Sequence, residues 1–369
     1  MANQNVGTPR FYVDILSWLK AHGLISYHAH GFVTTSPALD FIGINPTKYG
    51  QFWGGNGNND YIVYNTTYPL KDLMPVNKNF TMYLGHNFGS AEATAWISAG
   101  TSPHLSVTNN ELINVTNAGS ITNNYIIRDG FTICVGNEAD NIHSNLLQFR
   151  FDWKHYASTG ETAYNDLDGS GNSLLELGSF LYGTYYEMPN APNLSLTMSR
   201  EYGGTKEFTT YNGSSISNTM WSKPANWGNL GAWELGSSNP ALSRSGRRTW
   251  DLKFSYMDDS DLWGSNQLLS YEAVDVSLSA GYSAEDLLHW DPDVNDDTTF
   301  KYNLLTEDNF FSQVWHKTLG GTLPFIFQPD KDNINADQFS ICRFKKDTLK
   351  ATETAPGLYD SSLKLEEVW

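Results

Sequence analysis

The only close histidine pair in the sequence has a spacing that could bind a metal. His28 and His30 stand two residues apart, so in an extended strand both imidazoles would lie on one face. Two such side chains can chelate zinc, but a zinc site needs a third protein ligand with groups that orient it. No third ligand lies nearby in sequence. The pattern therefore favours ordinary strand histidines.

Two acidic loops carry oxygen donors in a pattern that suits calcium. Asp166 and Asp168 lie in a glycine-containing loop, and Asp291 and Asp293 lie in a second acidic cluster. The first loop lacks the glutamate that an EF-hand needs at its twelfth position. Acidic loops of this composition are usually turns. We therefore expect no cofactor, and calcium at these four aspartates is the alternative.

Catalytic motifs are missing from the sequence. It contains no GxSxG, no HExxH, no P-loop and no GxGxxG that opens a helix after a strand. Paired carboxylates such as Glu366-Glu367 could support glycoside hydrolysis, but a chain with 40 acidic residues contains such pairs by chance. The prediction is that the protein is not an enzyme.

Three tryptophans recur at six-residue intervals among glycine, asparagine and proline. Trp221, Trp227 and Trp233 have two interpretations. They are core anchors beneath a long loop, which we favour, or an exposed aromatic surface that stacks on sugar rings.

The elements that position these residues are predicted to be mostly strands. Aromatic residues make up 14% of the 369, and short apolar runs alternate with glycine, asparagine, serine and threonine. The clearest run is 247–256, where Trp250, Leu252, Phe254 and Tyr256 are expected on one face. The sequence predicts a mainly β fold of β-sandwich or β-barrel layers.

Two short helices are expected within this β fold. One lies near 306–319, with Thr306 as its cap, acidic residues in its first turn and Gly320-Gly321 at its end. The other lies near 11–21 and ends before Gly23.

The chain divides into three predicted segments. They are an N-terminal arm with a short helix at 1–22, a β-rich lobe at 23–170 and a β-sandwich lobe at 171–369. Cys134 and Cys342 lie within apparent strands and are predicted to be small buried hydrophobic residues rather than a disulfide or metal pair.

Charge and hydropathy exclude several classes of partner. The formal net charge of −17, without a stripe of lysine or arginine, argues against nucleic-acid binding. No apolar run approaches the roughly 18 residues of a membrane span. The N-terminal residues carry no secretory signal, so we expect synthesis in a cytoplasm.

Four segments resemble structural proteins of tailed bacteriophages, especially tail-tip and distal-tail hub proteins. These segments are Tyr186–Leu196, Gly246–Leu252, Gly320–Pro329 and Leu363–Trp369. The resemblance covers roughly residues 175–369, which makes the 171–369 segment a tail-hub-like lobe. It implies a β-sandwich or β-barrel protomer that forms a ring in a virion assembled in the host cytoplasm. Its partners would be copies of itself and other virion or tail proteins.

In such a protein, interfaces carry the function, and buried aromatic and arginine anchors supply most of their energy. The candidates here are Arg247, Arg248, Trp250 and Trp369, each of which can equally serve its own fold. One alternative is a carbohydrate-binding, host-attachment module that uses the three spaced tryptophans on a host glycan. Another is a capsid or head-associated protein of the same virion.

Overall fold

The architecture is given by a computed structural model. It describes residues 6–30, 41–44, 50–53, 60–68, 70, 73–75, 78–88, 94–100, 111–114, 125–128, 130–136, 146–152, 174–201, 206–218, 247–263, 304–335, 338–345 and 348–368. No helix among them is long and apolar enough to cross a membrane.

Strands dominate the described residues, which confirms the mainly β prediction. In chain order the strands are β1 (Arg10–Asp14), β2 (Ile25–His30), β3 (Gly50–Trp53), β4 (Asp60–Thr66), β5 (Asn79–Leu84), β6 (Thr94–Gly100), β7 (Glu111–Asn114), β8 (Tyr125–Arg128), β9 (Phe131–Gly136), β10 (Leu146–Asp152), β11 (Leu174–Leu177), β12 (Ser179–Glu187), β13 (Thr197–Glu201), β14 (Lys206–Thr209), β15 (Ser215–Asn218), β16 (Arg247–Asp258), β17 (Phe325–Gln328), β18 (Ser340–Phe344), β19 (Ala351–Ala355) and β20 (Leu358–Glu367). The helices are α1 (Ile15–Ala21), α2 (Asp259–Leu262) and a π-helix (Phe311–His316).

One large antiparallel sheet organises the chain. Its strand order is β13-β16-β20-β18-β17-β1-β12-β5-β9-β8, and β19 pairs with β20 off this path. β1 lies in the middle, where Phe11 is opposite Tyr186 of β12 and Phe327 of β17. The sheet therefore takes strands from all three predicted segments, whose boundaries stay a prediction.

A second layer covers part of this sheet. Its strands have the order β2-β4-β10-β6-β7, and two further pairs, β3 with β11 and β14 with β15, stand apart. Ile62 and Tyr64 of β4 belong to the same core as Phe180 of β12, with the Tyr64 and Phe180 rings 5.4 Å apart. This packing of sheet on sheet gives the sandwich-like layers that the sequence predicts.

The large sheet also curls. β18 and β9 are five strand steps apart, about 24 Å across a flat sheet. The rings of Phe131 in β9 and Phe339 just before β18 are nevertheless only 5.0 Å apart. The apolar face that they share must therefore be concave. It is filled by Tyr12, Phe80, Met82, Leu84, Phe131, Ile133, Leu181, Ile326, Phe339 and Ile341.

The expected helix at 11–21 is wrong in its first turn. Residues up to Asp14 form β1, and the helix begins at Ile15. Phe11 and Tyr12 are paired on both sides by β12 and β17, so ladder bonds and burial outweigh the local helical spacing. Asp14 then caps α1 by accepting from the backbone N–H groups of Leu16 and Ser17.

The expected helix near 306–319 is present but shorter, as the π-helix Phe311–His316. Thr306 is not its cap, because Asn309 Oδ1 accepts from the Ser312 N–H at 2.8 Å. The predicted glycine end is confirmed, since the Gly320 N–H donates to the Trp315 carbonyl at 2.9 Å and Gly320 has a φ of 66°.

The two cysteines behave as predicted. Neither Cys134 nor Cys342 forms a disulfide, and both are buried. Cys134 packs beneath the second layer, and Cys342 packs beside Trp250 and Leu365 in the core of the C-terminal half of the sheet. Burial raises the pKa of the Cys342 thiol well above its ordinary value. Such a thiol is an inert packing group rather than a nucleophile.

Candidate interaction surface

Eight of the residues singled out in the sequence lie outside the described ranges. They are Trp221, Trp227, Trp233, Trp369, Asp166, Asp168, Asp291 and Asp293. The interface, sugar-stacking and calcium hypotheses for these positions stay predictions.

The histidine pair lies in β2, in the extended backbone that the sequence predicts. His28 and His30 are opposite Val63 and Tyr61 of β4. Among the described residues, no group of three His, Cys, Asp or Glu side chains could hold a metal ion. The side chains of His28 and His30 lie outside the described part of the structure, so zinc binding by this pair stays untested.

Arg248 is bound within its own chain by Glu367 at the end of β20. Its Nη2 atom donates to Glu367 Oε1 and to the carbonyl oxygen of Phe339, both at 3.0 Å. The backbone N–H of Arg248 donates to Glu367 Oε2 at 2.8 Å. Both side chains are largely buried. This charge-assisted contact ties the start of β16 to the last strand of the chain.

Trp250 also serves its own fold. Only 2% of it is exposed, and its ring meets Phe327 edge-on at 5.2 Å. The Arg248 guanidinium lies 5.4 Å from the centre of the same ring. Arg247 is exposed at the first position of β16. Contact of any of these three residues with another copy stays a prediction.

The residues just before β1 are docked rather than loose. The Thr8 carbonyl accepts from the Lys331 N–H at 2.9 Å, and the Pro9 carbonyl accepts from the Met188 N–H at 3.0 Å. Beside them Glu187 accepts from Arg10 and Lys331. Burial alone would raise the Glu187 pKa, but the bonds and charges of these two cations outweigh it and hold the pKa below its ordinary value.

Asp14 is a buried carboxyl group at the junction of β1, α1 and β12. It accepts from Leu16, from Ser17 and from the Tyr182 N–H at 3.2 Å. Burial raises the pKa of Asp14 to about 6, although these hydrogen bonds act in the opposite direction. The group is a structural cap, because all of its described partners are backbone groups and the neighbouring hydroxyl.

Lys317 is a fully buried amine directly after the π-helix. Its Nζ donates to the Leu305 carbonyl at 2.8 Å and to Gln313 Oε1. Burial lowers the Lys317 pKa well below its ordinary value, against the opposing charge of Asp308. A lysine with a lowered pKa can act as a base or nucleophile. Here the amine instead fixes the segment that leads into the helix.

Large exposed apolar side chains recur among the described residues between 194 and 256. Nine large apolar residues are exposed among the described residues, and five of them lie in this range. These five are Leu194, Phe208, Tyr211, Ile216 and Tyr256. We call these five side chains the apolar edge. Exposed apolar surface is a common feature of interaction sites.

Leu194 and Tyr256 each follow a residue of one hydrogen-bonded contact. The Asn193 N–H donates to the Lys253 carbonyl at 2.7 Å, and Asn193 Nδ2 donates to Ser255 Oγ at 2.8 Å. Leu194 is fully exposed, and Tyr256 is 71% exposed.

The predicted inward position of Tyr256 is wrong. A register shift between Phe254 and Met257 forms a bulge in β16, which buries Met257 in place of the tyrosine. Tyr256 then has a φ of 59°, a conformation that costs a non-glycine residue about 1–2 kcal/mol. The backbone is therefore strained at Tyr256, where the ring is exposed to solvent.

The other three side chains of the apolar edge belong to the β14–β15 hairpin. Phe208 and Ile216 are cross-strand partners and are 57% and 56% exposed, while Tyr211 in the loop is fully exposed. Gly213 has a φ of 81° and closes the loop, where the Thr210 N–H donates to the Ser214 carbonyl. An isolated two-stranded hairpin is only marginally stable in water. Covering its apolar pair would stabilise it.

Sequence reasoning missed this surface. The alternation of Leu194, Leu196 and Met198 indicates a strand, but not that this strand is the last one in the described order of the large sheet.

Comparison with known proteins does not indicate what the apolar edge binds. No protein-family model matches the chain, and no curated protein sequence matches it significantly.

Proposed function

We propose that this chain is a structural component of a phage virion, most specifically a tail or baseplate hub or adaptor protein that assembles through protein–protein interfaces. The observation that carries the proposal is that the four segments with the phage resemblance all contribute to one hydrophobic core. They supply Tyr186, Met188, Trp250, Leu252, Phe325, Phe327, Leu363 and Leu365. The residues that carry the resemblance therefore pack together in one core rather than lying at scattered surface positions. This supports an architecture shared with the phage proteins that the segments resemble.

The apolar edge supports the same role. A protein that acts through assembly needs apolar surface that stays exposed until its partner arrives. Leu194 and Tyr211 are fully exposed on a chain with a formal net charge of −17. The net charge keeps free protomers apart in solution, and the apolar edge supplies attraction at short range.

Imaging and mass measurement test the proposal. We expect the purified full-length chain to form an oligomer by mass photometry, and labelled copies to occupy the tail of purified particles by electron microscopy. Copies in the head would replace the tail assignment with the head alternative. A monomer at micromolar concentration that is absent from particles would overturn the structural role.

A host-attachment role is the second candidate, and the hairpin is the observation that favours it. Phe208 and Tyr211 of this hairpin both expose aromatic rings, and such rings stack on sugar rings. If this role is correct, the chain binds spots on a glycan array and Tyr211→Ala or Trp227→Ala removes the binding. An array without bound protein would count against it.

A further inference from the structure

The loop of the β14–β15 hairpin contains an asparagine directly before a glycine. Asn212 is exposed, as is every residue from Tyr211 to Ile216. Gly213 has a φ of 81°, and a Cβ built on it would meet no atom beyond its two chain neighbours within 4 Å. The backbone around the Gly213 nitrogen is therefore uncrowded.

This order of residues permits a reaction within the chain. The backbone nitrogen that follows an asparagine can attack the carbonyl carbon of its side chain, because the attack closes a five-membered ring. A side chain on the attacking residue crowds this approach, and glycine has none. Asparagine is among the residues that are least stable to heat.

We propose that Asn212 is a site of spontaneous deamidation, with water as the only co-reactant. The Gly213 nitrogen loses its proton to hydroxide and forms a bond to Cγ of Asn212. The bond from Cγ to Nδ2 breaks, and Nδ2 leaves as ammonia after taking a proton from water. Water then opens the cyclic imide at either of its two carbonyl carbons, which gives aspartate or isoaspartate. No atom is oxidised or reduced.

Hydrogen bonds across the loop control how fast the ring can close. The Gly213 N–H donates to the Thr210 carbonyl at 2.9 Å, and the Ser214 N–H donates to Thr210 Oγ1 at 3.1 Å. While the first bond is made, the turn holds the proton that the Gly213 nitrogen must lose. The reaction therefore proceeds in molecules whose loop has opened.

Opening of this loop requires little free energy. β14 and β15 form a two-stranded sheet of their own, and the cross-strand partners Phe208 and Ile216 are each more than half exposed. A two-stranded hairpin is marginally stable in water, and local opening is easiest where few apolar contacts are buried. We therefore expect the deamidation rate of the folded chain to lie within about tenfold of the rate of the unfolded chain.

Deamidation changes the surface of the hairpin. The product places a carboxylate next to Tyr211, which is fully exposed, and burying that carboxylate against an apolar partner would be costly. Isoaspartate also lengthens the backbone of the loop that the Thr210 and Ser214 hydrogen bonds close. The hairpin therefore becomes more polar and less ordered as the protein ages. This inference follows from the loop alone and goes beyond the proposed function without depending on it.

Peptide mapping of the full-length chain tests the site. The purified protein is held at neutral and at mildly alkaline pH, and digests taken over time are analysed by chromatography and mass spectrometry. We expect the peptide with residue 212 to convert to an isoaspartate form and an aspartate form. The rate should rise about tenfold per pH unit, because the attacking nitrogen is deprotonated. Mapping also separates this site from Asn56-Gly57, the other Asn-Gly pair in the sequence.

Asn190 is the matched internal control. It is exposed and is followed by Ala191, whose Cβ hinders the attack, so it should convert at least about tenfold more slowly than Asn212. The same chain unfolded in urea gives the rate without the hairpin. Conversion of Asn212 no faster than that of Asn190 overturns the proposal. An Asn212 that stays intact in the folded chain while it converts in the unfolded chain also overturns it.

Gly213→Ala separates ring closure from opening of the loop. Alanine adds the hindering Cβ and is strained at a positive φ, so it loosens the hairpin while it slows the attack. We expect conversion of Asn212 to slow at least about tenfold in this variant. Conversion as fast as in the wild type, or an aspartate product without isoaspartate, would mean that no cyclic imide forms and would refute the mechanism.

Discussion

Replacing Asp14 by asparagine should remove one pH-dependent contribution to stability. Asp14 is 1% exposed, and its pKa lies at about 6 in the folded chain against an ordinary value of 3.8. Burial is the main cause, because the ionised carboxylate loses its hydration. Asparagine keeps the size and one acceptor oxygen but cannot ionise.

The direction of the effect follows from which state binds the proton. Between pH 3.8 and 6 the folded chain holds a proton on Asp14 and the unfolded chain does not, so stability falls as the pH rises through this window. A pKa raised by about 2 units corresponds to about 3 kcal/mol. This contribution is fully present below pH 3.8 and is lost once the pH exceeds 6.

The assay is denaturant unfolding followed by tryptophan fluorescence, with Trp18 of α1 close to the changed residue. The wild type should lose about 3 kcal/mol relative to Asp14→Asn between pH 3.5 and pH 7. Asp258→Asn is the matched control, since Asp258 caps α2 at an exposed site. A stability difference between wild type and Asp14→Asn that stays constant over this range would refute the reasoning.

Three further predictions concern packing, charge and metal. Gly183→Ala should unfold the centre of the sheet or lower the free energy of unfolding by several kcal/mol, because the added Cβ would lie 2.0 Å from the Val13 carbonyl oxygen. Thermal melting measures this loss, and a variant as stable as the wild type would contradict the prediction. Arg248→Met should cost about 3–5 kcal/mol by leaving Glu367 buried and unpaired, and adding Glu367→Gln should restore part of that loss. Millimolar calcium should leave the melting temperature unchanged, whereas a rise of several degrees that EDTA reverses would establish a calcium site.

The strand pattern was predictable wherever burial alternates along the chain. Trp250, Leu252 and Phe254 lie inside as their spacing predicts, because the period of two depends only on local backbone geometry. Tyr256 breaks the pattern, since the bulge that turns it outward depends on how β16 pairs with β20. The sequence of one strand does not show where its pairing with a neighbour will shift by an extra residue.

Pairing between distant segments explains two other differences between the sequence-based predictions and the structure. Phe11 and Tyr12 read locally as the start of a helix, yet they become a strand because β12 and β17 bind them from both sides. The sequence did not predict the apolar edge for the same reason, because exposure there depends on pairing between distant strands. Whether Leu194 and Met198 face a neighbour or solvent depends on strand order, which the chain determines only when the whole sheet forms.

The central place of β1 has a consequence for biosynthesis. Tyr12 donates to the side chain of Gln328, which lies 316 residues later in the chain. A ribosome that adds 5–20 residues per second needs on the order of 15–60 s to deliver that partner. During this interval the nascent chain can offer β1 its β12 neighbour but not β17. The middle of the sheet is therefore completed late, and chaperones that shield Phe11 until then should raise the yield of folded protein.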